Sequence, residues 1–433
     1  MNNREIFSWN PVYNLVMEIK DKYAEMFYKA KFNKEKIDGK EYTCLEYWVN
    51  RLNIEKYNNI FKILQCNQFE DFILIRYASY SDIYSDDIDT TPEELWNFMD
   101  GFYRECRSVV IDVRNEEIVL APFRKFMNAG ETEEYSFDNI KKRIKNASSI
   151  EITDKLDGSM QSARNYHGKV VMSGSQAINP DDSWRLQDGY TYLLNDVNAF
   201  KMVIMNSSYT FIFEYISLKD VHVVKYTDKQ QGLYLIGMRN VYSGEQLSYR
   251  MVREFAHRYN VKMTKIFDKT FDEAIEDTKR YKSNEKEGFV INVDGFMFKL
   301  KCDDYVQMHR ILSKLSSVNL IIRNIADNKF DDMISKIPLA YHNRVYGIAK
   351  LVYKYIEKMN RNVNQYIEEA PKDSRKDFMI WVDKNVSREY NGYVKAKYLG
   401  KEVNFIKSNG SNPHYKKLGE MGYSIQDLNN LEE

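Results

Sequence analysis

KLDGS, residues 155–159, sets a lysine two positions ahead of an aspartate and follows them with Gly158-Ser159, where the backbone turns. A flanking β-type run, Ile150 and Ile152, delivers Lys155 from a strand, and the glycine permits close approach of a nucleotide. A lysine that attacks phosphorus has to shed its proton and be aimed by its backbone. Read alone, a lysine in such a turn is equally a solvated surface residue. The segments on either side therefore decide.

Outward from this turn, residues 148–300 break into short apolar runs separated by turns: Val170-Val171-Met172, Phe211-Ile212-Phe213, Leu233 to Ile236 and Phe289-Val290-Ile291. That pattern predicts an antiparallel, strand-rich core. Helices are predicted within it at 183–204, 249–259 and 270–281. Residues 70–125 are also strand-like, with Phe72, Leu74, Val109 and Ile111. Residues 11–65 carry apolar side chains at helical spacing: Tyr13, Leu15, Val16 and Ile19, then Leu45, Trp48 and Leu52. The stretch 86–104 opens with acidic and Thr91-Pro92 loop signals and then reads helical. Beyond 303 the pattern is helical again, through Leu339–Met359 and Lys376–Lys384, before a Gly-, Asn- and Lys-rich tail. The expected architecture is α+β: a helical N-terminal extension over 1–69, an antiparallel-sheet domain over 70–320 and an all-helical domain over 321–433.

Several segments flank KLDGS in a fixed order. Upstream lie YASYSD (77–82), ECRSVVID (105–112) and FRKFMN (123–128); downstream lie FIFEYI (211–216), GLYLIGMR (232–239), EGFVINV (287–293) and FMFKLK (296–301). This order resembles the covalent lysine nucleotidyltransferases, the superfamily of DNA ligases, RNA ligases and capping enzymes. YASYSD, ECRS and RKFMN look most like the bacteriophage tRNA-repair RNA ligases. The resemblance covers about residues 70–310 and fades beyond. It implies an ATP-grasp-like ligase core, with 86–104 as a helical insertion.

Composition agrees without pointing to the class. The chain has 433 residues, enough for two or three domains, and 63 basic residues balance 63 acidic ones. No overall field draws it to nucleic acid, so RNA affinity has to come from local clusters. Cys44, Cys66, Cys106 and Cys302 form no Cys-x-x-Cys pair, which argues against a zinc site or a disulfide framework. No long apolar run could span a bilayer, and the polar N-terminus is unlike a signal peptide. The expectation is a cytoplasmic protein, in the host cytoplasm if phage-encoded.

The resemblance assigns roles. Lys155 is the nucleophile on the α-phosphate of ATP, with Asp157 as its acidic partner and Leu156 beside the nucleotide. Lys299 and Lys301 alternate on one strand face; they would lower the Lys155 pKa and stabilise phosphate charge, or else mark a solvated strand face. Glu214 and Glu287 interrupt apolar strands, where a carboxylate needs a partner or a cation. Glu214 is expected at the ribose and Glu287 at a metal. Tyr234 and Val290 would sandwich the purine, or serve as plain core. Arg107 and Lys125 would contact phosphate or nucleotide. Asp331, in Asp331-Asp332, is a loosely aligned second metal candidate. One departure stands out: VVMSGSQ (170–176) has Ser173 and Gly174 where the family often carries lysines.

The implied activity is ATP-dependent RNA ligation through lysyl-AMP and RNA-adenylate, with Mg²⁺, or Mn²⁺, as the divalent ion. The RNA would be single-stranded or a broken tRNA-like loop. With no Gly-rich phosphate-binding loop in the chain, end healing would fall to a separate kinase/phosphatase. A DNA ligase or capping enzyme would follow the last motif with a β-rich OB-fold, whereas this sequence turns helical. A catalytically inactive nucleotide- or RNA-binding regulator on the same scaffold is the non-enzyme alternative.

Overall fold

The structure, a computed structural model, describes residues 2–22, 35–37, 40–42, 64–77, 97, 101–220, 222–306, 318–334 and 342–406. The chain divides into two units, Met1–Val306 and Gln307–Glu433. The division falls somewhat before the expected boundary near 320.

The first unit is built on antiparallel sheets. A small hairpin pairs β1 (Glu35–Ile37) with β2 (Lys40–Tyr42). One four-stranded sheet has the order β3-β4-β5-β6, formed by Leu64–Phe69, Phe72–Tyr77, Arg107–Asp112 and Glu117–Leu120. The second contains β7 (Ile150–Lys155), β12 (Ile266–Phe267), β13 (Gly288–Val293) and β14 (Phe296–Lys301) in the order β12-β7-β13-β14. The third has β8 (Ser159–Tyr166), β9 (Lys169–Gly174), β10 (Tyr209–Ile216) and β11 (Gly232–Asn240) in the order β11-β10-β8-β9.

The period-two alternation of these strands places the site. In β10, Phe211, Phe213 and Tyr215 pack with Leu186, Met202 and Val252 from the helices Trp184–Asn195, Val197–Met205 and Tyr249–Tyr259. Ile212 instead joins Phe123, Phe126, Tyr249 and Met297, with Met160, Ile236 and Val290 against them. In the second sheet, Ile152, Phe289, Ile291, Phe298 and Leu300 bury against the helices Phe137–Lys145 and Phe271–Arg280. Thr153, Val290 and Lys299 align across β7, β13 and β14 on the other face. The helices begin where capping side chains allow: Ser183, Asp196, Ser248 and Thr270 each accept a backbone N–H of the first turn.

The N-terminal residues differ from a separate helical extension over 1–69. The helices Asn3–Phe7 and Pro11–Lys22 dock on the β5–β6 turn, where Arg4 and Lys20 both pair with Glu116 and the Tyr13 hydroxyl donates to the Glu116 carbonyl. Residues 35–37, 40–42 and 64–69 are strands, and β3 pairs with β4. Their mixed apolar and charged spacing reads as helix locally, but the partner strand decides the conformation. Leu45, Trp48 and Leu52, residues 78–82 of YASYSD, and most of 86–100 lie outside the described residues. Of that insertion, Phe102–Glu105 is helical.

In the second unit the described elements are helices: Val318–Ala326, Phe330–Ile334, His342–Glu369, Arg375–Asn385 and Arg388–Tyr398. Ile321, Ile322, Val345, Val352, Val363, Phe378 and Val394 form their shared core. Among the described residues no helix is long and apolar enough to cross a membrane.

Candidate active site

Lys155 ends β7, and the chain reverses through Leu156, Asp157 and Gly158 into β8. This turn is held from several sides. The Asp157 carboxylate accepts the backbone N–H groups of Val223 (2.9 Å) and Val224 (3.1 Å) and the hydroxyl of buried Tyr305 (3.1 Å). The Asp157 N–H donates to the Tyr226 hydroxyl at 2.8 Å. Asp157 is therefore engaged with protein groups, and its visible work is to hold the turn. Gly158 donates its N–H to Glu214 Oε1 at 3.2 Å, and a Cβ there would lie 2.6 Å from the Tyr215 carbonyl oxygen. Only glycine lets the turn sit this close to β10.

The charges converge by strand register. Gly288 pairs with Lys155 on one side and Lys301 on the other, which sets the preceding Glu287 between the two lysines. Glu287 Oε2 lies 2.7 Å from Lys155 Nζ and Oε1 lies 2.9 Å from Lys301 Nζ. Although Glu287 is buried, which alone would raise its pKa, the two ammoniums hold it below the usual carboxylate range. On the opposite face Lys286 pairs with Asp154, fixing the same two strand ends together.

Lys155 shows the reverse of the sequence expectation. Burial works to lower its pKa, but the carboxylates of Glu287, Glu214 and Asp157 outweigh burial and raise it. The lysines were expected to lower it directly; Glu287 intervenes. Lys299 carries the large downward shift instead, from burial and from the neighbouring charges of Arg107, Lys155, Lys125 and Lys301. Among the described residues no carboxylate pairs with Lys299. Glu214 is pushed up to about 7, mainly by burial and against the pull of Lys155.

Lys155, Leu156, Glu214, Val290, Lys299 and Arg107 all line one cavity of about 60 Å³. Its apolar wall adds Phe123, Phe126, Met160 and Ile236, and its polar wall Thr153 and Thr264. Arg107 lies over Phe126 at 5.0 Å and Lys299 over the same ring at 4.9 Å. The RKFMN segment reaches this place because β14 pairs with it: Lys299 N–H donates to the Met127 carbonyl, and Ala129 N–H to that of Lys299. Arg124 is anchored at Glu105 (2.8 Å), itself bound by buried Arg239.

Asp157, Glu287 and Lys301 do not line the cavity but hold the Lys155 turn or its ion pair, and three further expected residues stand apart from both. Lys125 places its ammonium over the Tyr77 ring at 4.0 Å, although its charge still reaches Lys299. Tyr234 pairs with Glu214 in register but donates its hydroxyl to the Gln230 carbonyl. Asp331 belongs to the second unit, on the rim of another pocket. Ser173 faces Ser162 across β8–β9, and both hydroxyls are buried with no hydrogen-bond partner among the described residues. The sequence reading missed Phe126, Met160, Ile236, Tyr226 and Tyr305. Phe126 and Ile236 lie inside quoted motifs; Met160 depends on which strand faces meet, and Tyr226 and Tyr305 on the segments that close on the turn.

The donor set bears on a metal. Among the described residues no group of three or more His, Cys, Asp or Glu could hold an ion. Glu214 lines the cavity, and Glu287 lies beside it on Lys155. That fits Mg²⁺ arriving with a nucleotide, since Mg²⁺ takes one or two carboxylates and completes its shell with phosphate oxygens and water.

Residues 105–305 match the RNA ligase family model. The matched span begins at Glu105 and ends at Tyr305, and so encloses every group of the cavity. Among solved structures, Naegleria gruberi RNA ligase aligns at 17% identity and a TM-score of 0.32, covering 40% of this chain and 54% of its own. The chain thus spans about half the length of that ligase. An archaeal ATP-dependent RNA ligase aligns at 12% identity and TM-score 0.37, over 68% of this chain and 87% of its own. A DNA ligase of Aquifex aeolicus, described as putative and ATP-dependent, aligns at 12% and 0.42, over 82% and 100%. The matched span is 201 of the 433 residues, less than half of the chain.

Proposed function

We propose that this chain is an ATP-dependent RNA ligase that works through lysyl-AMP. The observation that carries this reading is Glu287 bridging Lys155 and Lys301 beside a cavity lined by Lys299, Arg107 and Glu214. Lys155 Nζ, having lost its proton, attacks the α-phosphorus of ATP; the P–O bond to the β-phosphate breaks and pyrophosphate leaves with the electron pair. An RNA 5′-phosphate oxygen then attacks the same phosphorus, the P–N bond breaks and Lys155 recovers a proton. Finally an RNA 3′-hydroxyl attacks the 5′-phosphorus, loses its proton and expels AMP.

The chain's own groups fit these demands. Glu287 holds Lys155 in place and balances its positive charge. Lys299 and Lys301 present cations where charge builds on the phosphates, pre-oriented by their strand. The rings and aliphatic groups of Phe126, Met160, Ile236 and Val290 offer an apolar surface to a purine. Glu214, whose pKa burial pushes up to about 7, would serve as donor when protonated and acceptor when ionised to a ribose hydroxyl. Mg²⁺, held by Glu287 and Glu214, would neutralise phosphate charge and oppose reprotonation of the lysine. Repair of a broken tRNA-like loop, after a separate kinase/phosphatase has restored the ends, is the setting that fits the motif resemblance.

The test compares sealing of 5′-phosphorylated single-stranded RNA, nicked duplex RNA and nicked DNA by the same protein with ATP and Mg²⁺. RNA joining with little DNA joining is expected. Preferential sealing of nicked DNA would make this a DNA ligase.

A further inference from the structure

We propose that the helical second unit carries a pocket for an unstacked nucleobase of single-stranded RNA, with Tyr353 as the stacking surface and Lys397 and Lys401 as phosphate contacts. The proposal rests on RNA being the substrate, and it concerns a place remote in sequence from the nucleotide chemistry. The pocket has a volume of about 650 Å³, within the range of ligand sites. It lies between the helix His342–Glu369 and the chain that follows Arg388–Tyr398. Tyr353, Ile356 and Asn360 enter it from one stripe of the long helix, spaced three and four residues apart.

The aromatic arrangement is the informative part. Phe330, buried in the floor, holds Tyr346 and Tyr353 edge-on, at 5.9 Å with an interplanar angle of 70° and at 6.3 Å with 90°. Both tyrosines are nonetheless 49% and 44% exposed. A ring held by its neighbour and, among the described residues, left about half exposed has lost freedom without gaining full cover, and a base supplies that cover. Lys350, exposed, sits between the two tyrosines on the same stripe.

The rest of the wall suits a base better than a peptide. Lys397 donates to Asn360 Oδ1 at 2.5 Å, leaving the Asn360 amide N–H groups directed elsewhere. Asn328 stands beside them. The rim holds Lys397 and Lys401 but also Asp331 and Glu402, so it is not a simple anion trap. Carboxylates accept the amino and imino N–H groups of bases, while the lysines take the phosphates. A peptide docking by an apolar anchor would meet polar groups on most of the rim and leave them unpaired.

The measurement uses the full chain without ATP and follows the anisotropy of a fluorescent, 5′-phosphorylated single-stranded oligoribonucleotide about a dozen nucleotides long. Tyr353→Ala should weaken binding roughly tenfold, while Tyr353→Phe, which keeps the ring, should bind like the parent. Lys397→Ala and Lys401→Ala should each reduce the slope of log affinity against log salt by about 0.7, the signature of one lost phosphate contact on a single strand. Formation of the AMP adduct at Lys155, followed in parallel, should be unchanged in all four. Unaltered affinity in Tyr353→Ala with unaltered salt slopes in both lysine variants overturns the proposal, as does failure of the parent chain to bind. Should Tyr353→Ala not fold, photocrosslinking of 4-thiouridine RNA to the parent decides: crosslinks to 346–360 or 397–405 support the pocket, and crosslinks confined elsewhere sink it. A missing Lys155 adduct with the pocket effects intact would remove the ligase reading and leave the RNA site standing.

Discussion

At the residue scale, the site turns on a proton. Lys155 rests against Glu287 at 2.7 Å, and the carboxylates around it outweigh burial and raise its pKa, which favours the ammonium form. Glu287 would hold a divalent cation, and the cation's charge there would lower the Lys155 pKa. KLDGS singled out Lys155 as the candidate nucleophile, but not its ion pair, because Glu287 reaches Lys155 only through the register of β13 on β7. Glu214 gives a separable pH test. Its folded pKa of about 7 exceeds the ordinary carboxylate value, so the folded state binds more protons than the unfolded one between about 4.5 and 7. Stability supplied by this group therefore falls as pH rises through that window. Glu214→Gln, which can still accept the Gly158 N–H, should be relatively more stable at pH 8 than at pH 5 when compared with the parent. Parallel Tm-against-pH curves for the two proteins would show that Glu214 is not strained in this way.

At the scale of elements, β14 is the organising strand. It carries Lys299 and Lys301 on one face, Phe298 and Leu300 in the core on the other, and along its edge it pairs with the segment following Phe126. The Lys-x-Lys alternation was legible as a strand with one cationic face, and the burial of Lys299 distinguishes that face from a solvated one. Alanine at Lys299 or Lys301 should slow adenylylation of Lys155 by at least about a hundredfold, comparable to removing one preorganised donor. Sealing of pre-adenylylated RNA should suffer less; wild-type adenylylation in both variants would reduce the pair to structure. Gly288 tests the register itself. Its φ is +151°, and a Cβ would lie 2.2 Å from the Leu300 carbonyl oxygen and 2.7 Å from Lys301 Cα. Gly288→Ala should cost about 2 kcal/mol or more and depress adenylylation, because it spreads β13 from β14 where Glu287 has to meet both lysines. A variant with parental Tm and rate would show that this spacing is slack. The apolar runs of β7, β10, β11 and β13 were plain in the sequence. β3 was not: Leu64–Phe69 alternates weakly, and its strand character comes from pairing with Phe72–Tyr77, which no local pattern announces.

At the scale of the whole molecule, every group around the Lys155 cavity lies before Val306, the end of the first unit. The motifs quoted from the sequence end at Lys301, although Asp331, offered there as a metal candidate, lies in the second unit; the pattern beyond 303 is helical, and the described elements of that unit are helices. The cavity wall was hidden, because Met160 and Ile236 become neighbours of Val290 only when the faces of two sheets meet. Residues 341–433 carry 16 Lys/Arg against 12 Asp/Glu, a small surplus that acts through placement rather than net charge. A folded, soluble chain ending near Val306 should therefore adenylylate Lys155 at close to the parental rate while sealing a broken tRNA-like loop far less well than a short single strand. Retention of the parental ratio between the two substrates would deny the second unit a role in choosing RNA. The central claim is tested most directly by the intact mass of the protein after incubation with ATP and Mg²⁺. The account predicts a gain of one AMP, mapped to Lys155, absent from Lys155→Ala and also from Lys155→Arg, whose guanidinium keeps the charge but does not deprotonate to a nucleophile. A parent chain that gains no AMP, or a Lys155→Arg variant that gains it fully, would contradict it.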